Sequence, residues 1–305
     1  MYKHFLSIAD LTKDEIYEIF DLTRSLKEKT RRREQHHLLA GYTLAMIFAK
    51  PSARTRISFE TGMYQLGGHA LYLSPQDIGI GTREAVKDVA RVVSRYNDMI
   101  MARLFAHSHI EELAEYSSAP VINGLTDYNH PCQVMADAFT ILEHRGKVEG
   151  LKVVFVGDGN NVANSWINFA YRVPLHLVIC GPQGYPPDAQ TLARARAAGH
   201  SKIEILNDPR EALKDADVVY TDVWASMGQE AEAEKRKKAF MAYQLNRELM
   251  SHAPKNTLVM HCLPAHRGEE ITDEVMESPN SIVFDEAENR MHVQKAIMVK
   301  LAGKA

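Results

Sequence analysis

The order of segments in this chain predicts an α/β protein made of two doubly wound parallel-sheet units. Three observations carry that expectation. Short apolar runs alternate with segments of helical periodicity along all 305 residues. Several runs are almost entirely apolar, as strands of a parallel sheet become when helices cover both faces. At roughly 150 residues per domain, the length suits two such units.

Taken in order, the strand candidates of the first half are residues 43–49, 70–73, 99–102 and 120–122. Helical patterns lie between them at 54–66, 83–96 and 110–116. The second half repeats the scheme, with strands expected at 153–156, 175–179, 203–206, 218–221, 258–261 and 282–284. A helix ending in Glu143-His144-Arg145-Gly146 runs into a polar connection before the next strand. The boundary is therefore expected near 143–150, giving a first domain 1–146 and a second 147–289. A last helix at 293–301, within a C-terminal stretch of about 290–305, is expected to pack back on the first domain. The charged segment 229–238 reads as a solvated helix or mobile loop.

Composition excludes several classes. Hydrophobic residues at 45% and charged residues at 25% argue against disorder. Thirty-six Lys and Arg against 39 Asp and Glu leave a formal charge of −3, without the basic footprint of a nucleic-acid binder. No apolar run approaches the roughly 18 residues of a membrane span, and the first ten residues contain no signal-peptide core. Cys132, Cys180 and Cys262 are odd in number and far apart, which fits a reducing compartment. A soluble cytoplasmic protein is expected. His36-His37 and His107-x-His109 lack partners at ligand spacing and read as surface residues, so no metal site is expected.

In open α/β sheets ligands bind beyond the carboxyl ends of the strands. Lys50-Pro51-Ser52-Ala53-Arg54-Thr55-Arg56 lies there, after a strand and opening a helix. Ser52 can cap, the first amides point outward, and two hydroxyls and two guanidiniums add donors, a set suited to phosphate. Arg103 ends the third strand. In His130-Pro131-Cys132-Gln133, Pro131 suits a first helical turn, placing His130 at the N-cap and Gln133 one turn in. Gln133 can both donate and accept, so cations for a phosphate stand with polar groups for a small carbonyl.

The second half offers a different chemistry. Gly157-Asp158-Gly159-Asn160-Asn161-Val162 begins like a dinucleotide fingerprint, but its third glycine would fall at Val162, which argues against a nicotinamide cofactor. Asn161 suits a small polar ligand such as a carboxylate. Asp222, after the strand 218–221, can take an ammonium, and Ser226 and Met227 follow it. His261-Cys262-Leu263-Pro264 closes another strand; adjacent in an extended chain, His261 and Cys262 point to opposite faces and form no dyad. Glu288-Asn289-Arg290 follows the expected last strand and adds a further candidate cation, Arg290.

In this order, Ser52-Ala53-Arg54-Thr55-Arg56, His130-Pro131-Cys132-Gln133, Asp222-Val223-Trp224-Ala225-Ser226-Met227-Gly228 and His261-Cys262-Leu263-Pro264 resemble the aspartate/ornithine carbamoyltransferase family across essentially the whole chain. The first two motifs are shared by both branches; the last two are similar to the ornithine branch. The resemblance implies an active-site cleft between two domains and no cofactor. It also implies carbamoyl phosphate bound by Ser52, Ala53, Arg54, Thr55, Arg103, His130, Gln133, Cys262, Leu263 and Arg290. Ornithine would be bound by Asn161, Asp222, Ser226 and Met227, with Arg103, His130, Asp222 and Cys262 as catalytic residues. Family members are typically homotrimers in which a neighbour lends residues from the segment that is here 74–87. Two positions depart from the pattern. Ala53 stands where a threonine is usual, costing a hydroxyl but no backbone donor, and Gly79 stands where a glutamine is common, removing one cross-subunit hydrogen bond. The neutral δ-amine would attack the carbonyl carbon, donors from Thr55, Arg103 and His130 would stabilise the oxyanion, and phosphate would leave. A Cys262 thiolate beside Asp222 would be a local partner for the amine's proton. Residues 226–228 with the charged stretch after them are expected to close over ornithine. Competing readings are a carbamoyltransferase with another acceptor, a nucleotide-binding oxidoreductase, and a non-catalytic amino-acid-binding protein. Two cations for aspartate's carboxylates are missing from the acceptor half, which favours an ammonium-bearing ligand.

Overall fold

The computed structural model describes residues 3–225 and 232–304. The chain divides into two compact units, Met1–Ala136 with Asn289–Ala305, and Asp137–Glu288.

In the first unit, α1 (Lys13–Arg31) opens on a capping box in which Thr12 and Glu15 satisfy each other's backbone amides. Then come β1 (Thr43–Phe48), α2 (Ala53–Gln65), β2 (His69–Leu73), α3 (Pro75–Ile78), α4 (Val86–Tyr96), β3 (Met99–Arg103), α5 (His107–Tyr116), β4 (Val121–Leu125) and α6 (Pro131–Arg145). The four strands form one parallel sheet ordered β2-β1-β3-β4. From β1 the chain moves outward to β2 and then returns to the other side of β1 as β3, so the order reverses between β1 and β3. There Phe48 stands opposite Arg103, and the Ala49 amide donates to the Arg103 carbonyl at 2.9 Å.

The second unit contains β5 (Lys152–Val156), α7 (Asn161–Ala170), β6 (His176–Cys180), α8 (Ala189–Ala198), β7 (Lys202–Leu206), α9 (Pro209–Leu213), β8 (Val218–Thr221), α10 (Ala233–Phe240), α11 (Arg247–Met250), β9 (Leu258–His261) and α12 (Asp273–Met276). Its five strands are parallel in the order β7-β6-β5-β8-β9, reversing between β5 and β8. Val154, Val156, Val178, Val219 and Val259 fill the core from four of these strands, and Leu245 and Ile271 pack with them. Beta-branched side chains buried on the pleat are what hold such strands extended.

Two expectations change. No strand forms at 282–284: α13 (Val283–Leu301) begins there, and only Ser281 makes an isolated bridge to Val259. Residues 288–290 therefore lie within a helix and not after a strand. By their contacts the units part inside α6, between Ala136 and Asp137; Cys132, Val134 and Met135 are buried in the first unit, while Asp137 bonds Glu286 in the second. The surface reading of His36 fails, because its ring is buried against the Lys295 Nζ at 2.7 Å.

Candidate active site

Both reversals of strand order are topological switch points, where the loops leaving adjacent strands diverge and open a crevice. In the first unit, residues 49–52 leave β1 and open α2, while Leu104 and the residues after it leave β3. Ser52 is the N-cap of α2, its hydroxyl accepting from the Thr55 amide at 3.3 Å. The Ser52 and Thr55 hydroxyls lie 3.1 Å apart, and Arg290, from the first turns of α13, donates through Nη2 to the Thr55 hydroxyl at 3.1 Å. Arg54 is exposed on the same first turn. Arg56 points elsewhere, donating to Glu60 at 3.0 Å and stacking over the Tyr72 ring.

His130 precedes Pro131 and accepts, through its carbonyl, from the Gln133 amide at 3.1 Å, so the expected cap geometry forms. Arg103, His130, Gln133 and Arg290 are all buried. Burial, reinforced by Arg290 and Arg103, pushes His130 well below the ordinary histidine range, so its ring is neutral. A neutral imidazole beside two guanidiniums is a hydrogen-bonding group for an uncharged carbonyl, leaving anion neutralisation to the arginines. Cys132 is inert: burial pushes its thiol up to about 12, and Sγ contacts the Asn123 carbonyl. Lys50, unassigned by sequence reasoning, is buried, pairs with Asp127 at 2.6 Å and lies 4.3 Å over the Phe105 ring. It braces the loop that carries Ser52.

The second switch point gathers Asn160, Asp222 and Cys262. Asn160 caps α7, its side-chain oxygen accepting from the Val162 and Ala163 amides, and its Nδ2 donates to Asp222 Oδ2 at 2.7 Å. Asp222 Oδ1 accepts from the Val223 amide at 2.8 Å and the Cys262 thiol at 2.9 Å. Asn161 starts α7 next to this cluster, and Leu263 follows Cys262 with φ at 57°. Ser226 and Met227 lie outside the described residues, as do 228–231 of the expected lid.

Here the thiolate expectation is corrected. Burial first, then the negative charges of Asp222, Glu286 and Asp137, push the Cys262 thiol well above its usual range. Cys262 is a donor in this structure and would have to lose its own proton before accepting another. Behind it, burial raises Glu286 to about 7, and this carboxyl accepts from the Tyr220 hydroxyl at 3.2 Å and the His261 amide at 3.1 Å. Two further features escaped sequence reasoning. Arg236 on α10 is buried and pairs with Asp158 at 2.7 Å, so the charged stretch is anchored at the β5 loop and not solvated throughout. His261 bonds Glu270 at 2.9 Å with both side chains buried.

Among the described residues two groups have metal-ligand spacing, Asp222 with His261 and Cys262, and His266 with Glu269 and Glu270. In the first, both ring nitrogens of His261 are engaged by protein groups and the thiol is bonded to Asp222. The cluster is satisfied by its own hydrogen bonds.

Two doubly wound units, with a cationic donor-rich cluster at one switch point and a carboxylate-and-thiol cluster at the other, have the equipment of an enzyme that transfers a group from an anionic donor to an amino acid. The family follows from comparison with known proteins. Residues 3–143 match the model for the aspartate/ornithine carbamoyltransferase carbamoyl-P binding domain, and residues 149–301 match that for the Asp/Orn binding domain. The chain belongs to the aspartate/ornithine carbamoyltransferase family and is a carbamoyltransferase. It is 57% identical to the chloroplastic ornithine carbamoyltransferase of Pisum sativum over 99% of this chain and 81% of that protein. It is 54% identical to the ornithine carbamoyltransferase of Thermococcus kodakarensis over 98% and 96% of the two chains. The solved ornithine carbamoyltransferase of Pyrococcus furiosus superposes with a TM-score of 0.93 at 51% identity, covering 97% of this chain and 96% of that one.

Proposed function

We propose that the chain is an ornithine carbamoyltransferase, converting carbamoyl phosphate and L-ornithine into L-citrulline and phosphate. The observation that carries this reading is the carboxylate-and-thiol cluster of the second unit: Asp222, already accepting from Asn160 and Cys262, is an anion suited to an ammonium and unsuited to an aspartate carboxylate. Full-length relatives named ornithine carbamoyltransferase support it, and one from Pyrococcus furiosus is named anabolic, which favours arginine biosynthesis.

In this reading Ser52, the Ala53 amide, Arg54, Thr55, Arg103 and Arg290 hold the phosphate. His130 and Gln133 hold the carbonyl and amino groups, with the Leu263 carbonyl accepting from the same amino group and Cys262 close to it. Asn161 and the Met227 backbone bind the ornithine carboxylate, and Asp222 and Ser226 its α-ammonium. The neutral δ-amine attacks the carbonyl carbon, the C–O bond to phosphate breaks as the tetrahedral oxyanion collapses, and the proton the amine loses is taken up by the departing phosphate, which leaves as hydrogen phosphate. Arg103, Thr55 and neutral His130 donate to the developing oxyanion, a placement that can contribute several kcal/mol. Phosphate departs already matched by guanidiniums, so no covalent intermediate is needed. Holding both reactants converts a two-body encounter into a one-body step.

A homotrimer, with residues 74–87 of a neighbour completing the site, and a cytoplasmic location belong to the same reading. Among the described residues no helix is long and apolar enough to cross a membrane. The assay is phosphate release from carbamoyl phosphate with ornithine, with aspartate and with neither. Release with ornithine alone is expected; release with aspartate but not ornithine overturns the acceptor assignment.

A further inference from the structure

His261 has both ring nitrogens committed. Its Nδ1 accepts from the Leu263 amide at 2.8 Å, so that nitrogen carries a lone pair, and Nε2 must then hold the ring proton, which it donates to Glu270 Oε1 at 2.9 Å. The same Glu270 oxygen accepts from the His266 amide at 2.6 Å. Glu270 is itself fixed, because its carbonyl accepts from the Leu245 amide at 2.8 Å and its neighbour Ile271 lies in the core. His261 and Glu270 are 1% and 0% exposed, so water does not compete for these bonds. Leu263 has the left-handed backbone that a residue bearing a Cβ avoids, and the ring it leans on is what holds its amide there.

We infer that Glu270, acting through the single ring tautomer it imposes on His261, is a positioning residue that aims the Leu263 peptide at the carbamoyl group. The inference rests on the role proposed above for the Leu263 carbonyl. Glu270 touches no substrate in this scheme. Its work is done by Oε1 as an acceptor; Oε2 has no hydrogen-bond partner among the described residues. Charge is therefore dispensable and acceptor geometry is not.

Three variants of the full-length enzyme test this: Glu270→Gln, Glu270→Leu and His261→Gln. Glutamine at 270 keeps the oxygen acceptor. Glutamine at 261 keeps a donor toward Glu270 and loses the acceptor for the Leu263 amide, which serves as the decisive variant if Glu270→Leu does not fold. The readouts are proton–nitrogen correlation spectra of histidine-labelled enzyme, which report the tautomer without reference to activity, and separate KM and kcat values for each substrate. The expected result is an Nε2-protonated His261 in wild type and in Glu270→Gln, with kcat/KM for carbamoyl phosphate within about threefold of wild type. Glu270→Leu and His261→Gln should lose on the order of 10²-fold in that parameter, the cost of misplacing a catalytic contact by about an ångström, with the ornithine KM changing far less. A loss in Glu270→Gln as large as in Glu270→Leu assigns the role to charge and overturns the inference. An unchanged tautomer in Glu270→Leu shows that Glu270 does not set the ring. A tautomer lost with kinetics unchanged removes the proposed role of the Leu263 carbonyl, and the inference with it.

Discussion

Replacing Asp222 by asparagine changes one atom and reverses the logic of the acceptor cluster. In the wild type its two oxygens accept from three donors, the Asn160 side chain at 2.7 Å, the Val223 amide at 2.8 Å and the Cys262 thiol at 2.9 Å. An amide in its place brings a donor against at least one of these donors and removes the negative charge proposed for the ornithine α-ammonium. A hydrogen bond to a charged group is worth about 1.5–3 kcal/mol, and truncating a buried charge pair about 2–5 kcal/mol. At 8% exposure the site lies toward the buried end, so a loss of about 2–4 kcal/mol is expected. At about 1.4 kcal/mol per decade this corresponds to roughly 30- to 700-fold in kcat/KM for ornithine. The KM for carbamoyl phosphate should move little. Because Asp222 is the largest charge raising the Cys262 thiol after burial itself, the variant should also be alkylated faster at a fixed pH near 8. Citrulline formation over a grid of both substrates, with iodoacetamide modification in parallel, measures both effects. A kcat/KM for ornithine and a modification rate each within twofold of wild type would refute the reasoning.

Three other outcomes are expected. Thr55→Val keeps the shape of the first turn of α2 but deletes the hydroxyl that meets Ser52 and Arg290, so kcat/KM for carbamoyl phosphate should fall about 10- to 100-fold with the melting temperature little changed; steady-state kinetics and a thermal scan check it. Arg236→Met strands the nearly buried Asp158 carboxylate and should destabilise the second unit by about 3 kcal/mol, measured by guanidinium unfolding. Burial, aided by Lys295, lowers His292 to about 3, so the folded protein keeps this ring neutral where the unfolded chain takes up a proton. Its share of stability is complete above the unfolded pKa of about 6.5 and shrinks as pH falls, by about 1.4 kcal/mol per unit, until about pH 3. His292→Leu should flatten unfolding free energy between pH 6 and 5 by about that amount, and an unchanged slope would remove His292 as its source.

Strand positions were legible because parallel strands covered on both faces are written as apolar runs, and all nine begin within one residue of where the apolar pattern places them. Ile282-Val283-Phe284 shows the limit of that reading. Three apolar residues fit a short strand as well as the start of a helix, and here Val283 is buried while Phe284 is 61% exposed on the first turn of α13. The site motifs were legible because each sits directly after a strand. What joins them was not. Asn160 meets Asp222, Arg236 meets Asp158 and Arg290 meets Thr55 only because the sheet order, or the return of the last helix, folds distant segments together. Sequence states the strands but not their order, so switch-point pairings stay hidden. The Cys262 thiol was misread for a related reason: what raises it is burial first, then the carboxyl groups of Asp222, Glu286 and Asp137, which the fold brings to it from other segments.

A crystal structure with a bisubstrate analogue joining a phosphonate to ornithine tests the assignment of both clusters at once. The phosphonate is expected on Ser52, Arg54, Thr55 and Arg103, and the α-ammonium on Asp222. Density placing the phosphonate away from those arginines, or the amino-acid moiety away from Asp222, would contradict it.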